Sequence, residues 1–218
     1  MRGAPVSPGA VVSRIWMIYR DQFPVLFGTA AILFAVQFVV YLVLASIAAL
    51  PLAALFWALS VLYQGMVVTL VEDVQDGRRD HSVPELLRSV EPVFWRLLVV
   101  SVLFGIGVAI GFVLLIIPGL ILMVIWSVVA PVTVVERPGV LAAFRRSREL
   151  VRGHGWSVFG VLVLVFLAVV AVSIVVGVAS AGLGAAGRAV VQWAVNAAVA
   201  PLTALSASVL YFELRARF

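Results

Sequence analysis

One stretch of this chain is dense enough in ligating side chains to suggest chemistry: EDVQDGRRDHSV, where Glu72, Asp73, Asp76, Asp80 and His81 follow one another closely. By carboxylate count they could hold a hard divalent cation. Their spacing matches no metal-binding loop, and a solvated loop between two apolar runs accounts for them, so no metal site is expected. His154, between Gly153 and Gly155, could serve as a base only with a carboxylate or nucleophile beside it. The sequence places none near it. Gly-rich phosphate loops, Gly-x-Ser-x-Gly elbows and His-Glu-x-x-His pairs are also missing. These residues therefore predict a protein that is not an enzyme and carries no cofactor.

A different kind of chemistry is written in ERPGVLAAFRRSRELVRGHGWSVFG, residues 136–160. At 100° per residue, Val140, Leu141, Phe144, Ser147 and Val151 gather on one arc, with Arg145, Arg146, Glu149 and Arg152 opposite and Arg148 at the border. Such a helix can lie in a bilayer interface and offer guanidinium groups to lipid headgroups. Each arginine near an anionic leaflet gains about 1 kcal/mol. Arg145, Arg146, Arg148 and Arg152 are thus the candidate headgroup residues, with membrane lipids, anionic phospholipid among them, as partners. The plainer reading is that these arginines only set orientation.

The elements that must carry such a helix follow from composition. A chain of 218 residues, 64% hydrophobic, 11% charged and with mean hydropathy +1.21, cannot bury that much apolar surface in one soluble globule. No charge occurs from Pro24 to Val71 or from Leu97 to Val135, and only Arg188 from Ser157 to Phe212. A crossing takes about twenty apolar residues, so each run is long enough for two. The expected fold is all-α: a polytopic membrane protein of six transmembrane helices in three like-oriented hairpins, each preceded by an interfacial amphipathic helix.

All 15 basic residues are arginine, and a chain that starts inside and crosses six times puts every one but Arg188 on one side. That asymmetry places both termini in the cytoplasm, with the protein in the cell membrane. It also explains a net charge of +5 without nucleic acid. The first apolar run is too long for a signal peptide, so the first helix is expected to be retained. With no cysteine, disulfide and thiolate chemistry are excluded.

In chain order, Ser7-Pro8 opens an amphipathic helix with Val11, Val12, Ile15, Trp16, Ile18 and Tyr19 on one face. The first hairpin runs from Pro24 to Ile47, turns near Pro51 and returns through Trp57, Ser60 and Gln64 to Glu72. Ser82 and Glu85 form a capping box for a short helix ending against Pro92. The second hairpin is expected to turn at Pro118-Gly119, and Gly107 and Gly111 suggest a close-packing face. The third starts at Trp156 and returns with Gln192, Asn196, Thr203, Ser206 and Ser208. Those spans contain no ionisable group suited to ion coupling. Gln64, Gln192 and Asn196 are the candidate intramembrane polar residues, and Gln37 is a fourth amide.

The chain reads as one integral membrane domain, 1–218, with internal units 8–77, 80–136 and 137–218. RDQFPVLFG from Arg20, RSVEPVFWR from Arg88 and RGHGWSVFG from Arg152 align, and the returning helices end on Glu72, Glu136 and Glu213. Such units would be related by an axis along the membrane normal.

The strings IPGLILMVIWSVVAPVTVVERPGVLAAFRRSRELVRGHGWSVFGVLVL and PLTALSASVLYFELRARF resemble the membrane domain often fused to bacterial glycerophosphoryl diester phosphodiesterases, a group similar to the YciC-like integral membrane proteins. The resemblance implies a six-helix bacterial inner-membrane protein. It does not imply phosphodiesterase activity, which belongs to a separate soluble barrel. The expected role is a non-enzymatic membrane scaffold or a partner- or lipid-binding module, with a protein partner or self-association left open. The alternative is lipid handling or small-solute transport through a cleft between hairpins. A polar cavity lined by Gln64, Gln192 and Asn196 would favour the alternative, and a tightly packed core the scaffold.

Overall fold

Prolines set where the helices begin. In the computed structural model, which describes residues 7–44, 49–76 and 83–217, α1 (Pro8–Asp21) opens on Pro8, α2 (Phe23–Leu44) has Pro24 second, and α3 (Ala49–Gln75) has Pro51 third. α4 (Val83–Val90) has Pro84 second and passes through a 3₁₀ turn, Glu91–Val93, into α5 (Phe94–Leu114). α6 (Ile116–Ile125) and α7 (Val129–Val135) carry Pro118 and Pro131 as their third residues. α8 (Val140–Val151) follows Pro138-Gly139, and α9 (Gly155–Ala179) and α10 (Ala185–Arg215) complete the order. In a first turn the missing N–H has no intrahelical acceptor to lose, which is why helices tolerate proline there. Arg2, Arg78, Arg79, Asp80, His81 and Ser82 with its capping box lie outside the described residues, as does the side chain of Gln37.

Two sequence expectations are corrected. The second hairpin turns at Leu115, whose extended backbone (φ −165, ψ 151) separates α5 from α6. Pro118 and Gly119 lie within α6, because proline begins the returning helix rather than marking the turn. The return itself is also broken at Trp126–Val128, which the sequence reading missed. Pro131 cannot donate to the Ser127 carbonyl, and its ring crowds that carbonyl, so the helix restarts two residues ahead of it, at Val129. Val129 N–H then donates to the Trp126 carbonyl at 3.1 Å. The Ile125 carbonyl, left without Val129, accepts from the Ser147 hydroxyl of α8 at 2.9 Å.

The α5–α6 hairpin is tight because two glycines allow it. A Cβ on Gly107 would lie 2.5 Å from the Trp126 ring, and one on Gly111 would lie 2.9 Å from the Gly119 Cα. α10 is the centre of the molecule, touching α1, α2, α3, α7, α8 and α9, and its Leu205, Val209, Leu210 and Tyr211 are fully buried. α3, α7 and α10 touch one another, with α2, α5 and α9 packed outside them.

The amphipathic helices spend their apolar faces on this body more than on lipid. α1 buries Val11, Ile15 and Ile18 against α9 and α10, leaving Trp16 exposed. α4 buries Leu86 and Val90 and lies on α3, where Ser89 Oγ donates to Thr69 Oγ1 at 3.3 Å. α8 buries Ala143, Ser147, Leu150 and Val151, so its inner face is turned from the expected arc towards Ala143 and Leu150, and Leu141 points outwards.

Among the described residues, five helical stretches are long and apolar enough to cross a membrane: Ala53–Gln75, Pro84–Leu114, Ile116–Val135, Gly155–Ala179 and Gly187–Arg215. The α2 helix adds a shorter apolar stretch, Phe23–Val36. The close approach of α5 and α6 gives a test. Gly111→Val should destabilise the detergent-solubilised protein by about 1–3 kcal/mol through overpacking. Gly28→Ala, with nothing within 4 Å of the new methyl, should not destabilise it, since alanine is the better helix former. Thermal unfolding of the two variants checks this.

Candidate functional site

The break between α6 and α7 leaves space beside Ser127. Around it, α3 contributes Ser60 and Gln64, α5 contributes Ser101, and α10 contributes Thr203 to a cavity of about 490 Å³. A second cavity of about 640 Å³ lies between α2, α3 and α10 and carries Gln192, Trp193 and Asn196. The two share Phe34, Ser60 and Ala200 as a common wall. Gln64 thus faces one chamber, and Gln192 and Asn196 the adjoining one. Neither lining contains a charged side chain.

Within these chambers the hydrogen bonding is incomplete. The Gln192 amide donates to Asn196 Oδ1 at 3.1 Å, but Ser127 Oγ and Trp193 Nε1 are buried with no partner. An unmet buried donor costs about 1–3 kcal/mol, so a hydrogen-bonding guest or water would relieve a real penalty here. The hydroxyls lower on α10 are spent locally: Ser206 donates to the Thr203 carbonyl and Ser208 to that of Ala204. Neither hydroxyl bonds to another helix. Ser127 could have been found from Pro131, which sits at the spacing that strips its carbonyl of a donor.

The four candidate headgroup arginines divide. Arg146 turns inwards, where its Nε donates to Glu136 at 3.0 and 3.3 Å, and the Tyr211 hydroxyl donates to the same carboxylate at 3.0 Å. Arg145, Arg148 and Arg152 are exposed, sharing a stripe with Leu141. A matching ion pair ties α1 to the end of α10, Arg14 to Glu213 at 2.6 Å, with Arg217 also 3.7 Å from that glutamate. Phe144 of α8 meets the Trp126 ring edge-on at 4.9 Å, which fixes α8 beside the helix break.

Glu72, Asp73 and Asp76 cluster at the end of α3. No group of three or more His, Asp or Glu suited to a metal ion occurs among the described residues, and Asp80 and His81 are not among those. His154 precedes α9, where its Nδ1 is buried without a partner.

A UPF0259 membrane protein of Pectobacterium carotovorum is similar to this chain, 31% identical over 117 residues. The match covers 54% of this chain and 46% of the relative, so the chain matches about half the length of the curated relative. No family model matches, and neither does any solved structure. The likeness to a bacterial membrane protein agrees with the five long apolar helices: this is a multi-pass membrane protein.

The ion pairs yield a prediction. Each removes a partly shielded carboxylate from its donor, so Arg14→Gln and Arg146→Gln should each lower stability by about 1 kcal/mol, the scale of a charge-assisted bond discounted for exposure. Arg145→Gln, on the exposed stripe, should leave the unfolding midpoint where it is. Chemical or thermal unfolding in detergent distinguishes the three.

Proposed function

We propose that this is a non-enzymatic protein of the bacterial cell membrane that admits a small, uncharged, hydrogen-bonding solute into the cleft between its helices. The observation that carries this reading is the pair of adjoining chambers lined by Gln64, Gln192, Asn196 and hydroxyls. A scaffold has no need of such space. A charge-free lining suits a neutral polyol- or amide-like molecule, since a charged guest would enter without a counter-ion. It also supports passive movement, because coupling to protons or ions calls for an ionisable group along the path.

The reading includes the architecture: six crossings, with α2 as the first, three like-oriented hairpins and both termini in the cytoplasm. Internal repetition is supported by contacts that follow a cycle. α4 lies on α3, α8 on α7, and α1 on α10, so each amphipathic helix rests on the return of the preceding unit. The register that lays Arg20 on Arg152 also lays Arg14 on Arg146, and these two arginines reach Glu213 and Glu136, the aligned exit glutamates. Kinship with the membrane domain often fused to glycerophosphoryl diester phosphodiesterases is part of the same proposal and rests on the sequence strings given above.

Two experiments follow. A cysteine at Gly182 should react with an impermeant thiol reagent in intact cells and a cysteine at Arg145 should not; the reverse pattern would sink the topology. For the cleft, proteoliposomes should swell in glycerol faster than empty liposomes, and Ala200→Trp, at the shared wall of both chambers, should return them to the empty rate. Swelling indifferent to that substitution would remove the cleft as the route.

A further inference from the structure

Beyond Phe104, Ser127 and Thr203, which also line the first polar chamber, a groove runs between α6 and α9. Its first part, about 500 Å³, has Leu120 and Ile121 on one side and Gly153, His154 and Trp156 on the other. Its second, about 750 Å³, is walled by Phe112, Met123, Leu162 and Phe166. Leu120 and Phe159 belong to both parts, so the two adjoin. The groove is therefore graded, with polar backbone and an imidazole at one end and hydrocarbon at the other.

The polar end has unmet capacity. His154 Nδ1 is buried without a hydrogen-bond partner, and α9 begins there with no side-chain cap on its first amides. Arg152 stands two residues before His154, exposed and making no ion pair among the described residues. Gly153, with φ +86, turns the chain between them. Trp156 is 87% exposed, as an indole at the headgroup level would be. At the apolar end Thr203 and Ser206 donate to their own helix, which leaves Ser127 Oγ, shared with the first polar chamber, as the unpartnered hydroxyl.

We propose that this groove is a binding site for one anionic glycerophospholipid, its phosphate against Arg152 and His154 and an acyl chain lying along Phe159 towards Phe166. Charge complementarity selects the occupant: Arg152, next in sequence to the lining residue Gly153, and the unpartnered imidazole of His154 stand at one end of a hydrocarbon slot, which matches a phosphate ester carrying acyl chains. Arg146, committed to Glu136, takes no part. The side chains that would hold the lipid, Leu120, Arg152, His154 and Phe159, line neither polar chamber.

Native mass spectrometry of the full chain in detergent, mixed with phosphatidylglycerol or phosphatidylcholine of identical acyl chains, tests this. Wild type should retain phosphatidylglycerol about fivefold better, the factor that ~1 kcal/mol from one arginine supplies. Arg152→Gln should abolish that preference. Arg145→Gln, on the same stripe two turns away, should keep it. Leu120→Trp, filling the groove, should reduce retention of both lipids, and Phe159→Trp gives a second filling variant if the first fails to fold. Equal loss in the Arg145 and Arg152 variants would reduce the site to a generally basic surface and overturn the proposal. Equal retention of the two lipids by wild type, or undiminished retention in a folded, groove-filled variant, would overturn it too, as would a dimer that the filled groove abolishes.

Discussion

In hydrocarbon a backbone carbonyl without a donor costs several kcal/mol, and this chain puts proline where such carbonyls arise. Pro51 and Pro118 do no harm, because each falls in a first turn. Pro131 and Pro201 are different. Pro131 splits the long apolar stretch Ile116–Val135, and the carbonyl freed at Ile125 is met by a serine from another helix. Pro201 sits within α10 and strips the Ala197 carbonyl of its donor; Tyr19 of α1 donates to the next carbonyl, Ala198, at 3.1 Å. At both prolines an amphipathic helix supplies a hydroxyl. The membrane-facing bundle and the polar-faced helices are therefore one hydrogen-bonded object.

The arginines serve the same union. In the inside-positive pattern they appear interchangeable, yet Arg14 and Arg146 are turned to the ends of α10 and α7, and Tyr211 shares the Glu136 carboxylate with Arg146. A carboxylate accepting several charge-assisted bonds holds its donors in place as well as neutralising them. Helix α8 is pinned from three directions, by Ser147 to the Ile125 carbonyl, Phe144 to Trp126 and Arg146 to Glu136. Its exposed stripe of Arg145, Arg148 and Arg152 is consequently presented at a fixed angle.

Much of this was legible in residue order. Three long apolar runs announced the long helices, and the periodicity of Val11, Ile15 and Ile18 gave an amphipathic helix with its inner face nearly right. Gly107 and Gly111 announced a close approach, although their partners, Trp126 and Gly119, could not be read from spacing. The errors share a cause. Proline was read as a place where chains turn, whereas in a helix-only fold its ring is best placed in the first turn after one, which moves the turn to Leu115 and hid the break before Pro131. A single polar cavity lined by Gln64, Gln192 and Asn196 could be named as an alternative, whereas the structure divides these amides between two chambers. Their depth could not be read, because empty space depends on which side chains fail to meet, and periodicity describes only those that do.

The partnership of α1 with α9 and α10 has a consequence for how the chain is made. Synthesis releases α1 well ahead of α9 and α10, yet these later helices supply the surfaces that cover Val11, Ile15 and Ile18, the carbonyl that receives Tyr19 and the carboxylate that receives Arg14. Until then an amphipathic segment must wait at the membrane surface with its apolar face in lipid. Docking of α1 is therefore a late event, which closes contacts between segments some two hundred residues apart, such as Arg14 with Glu213.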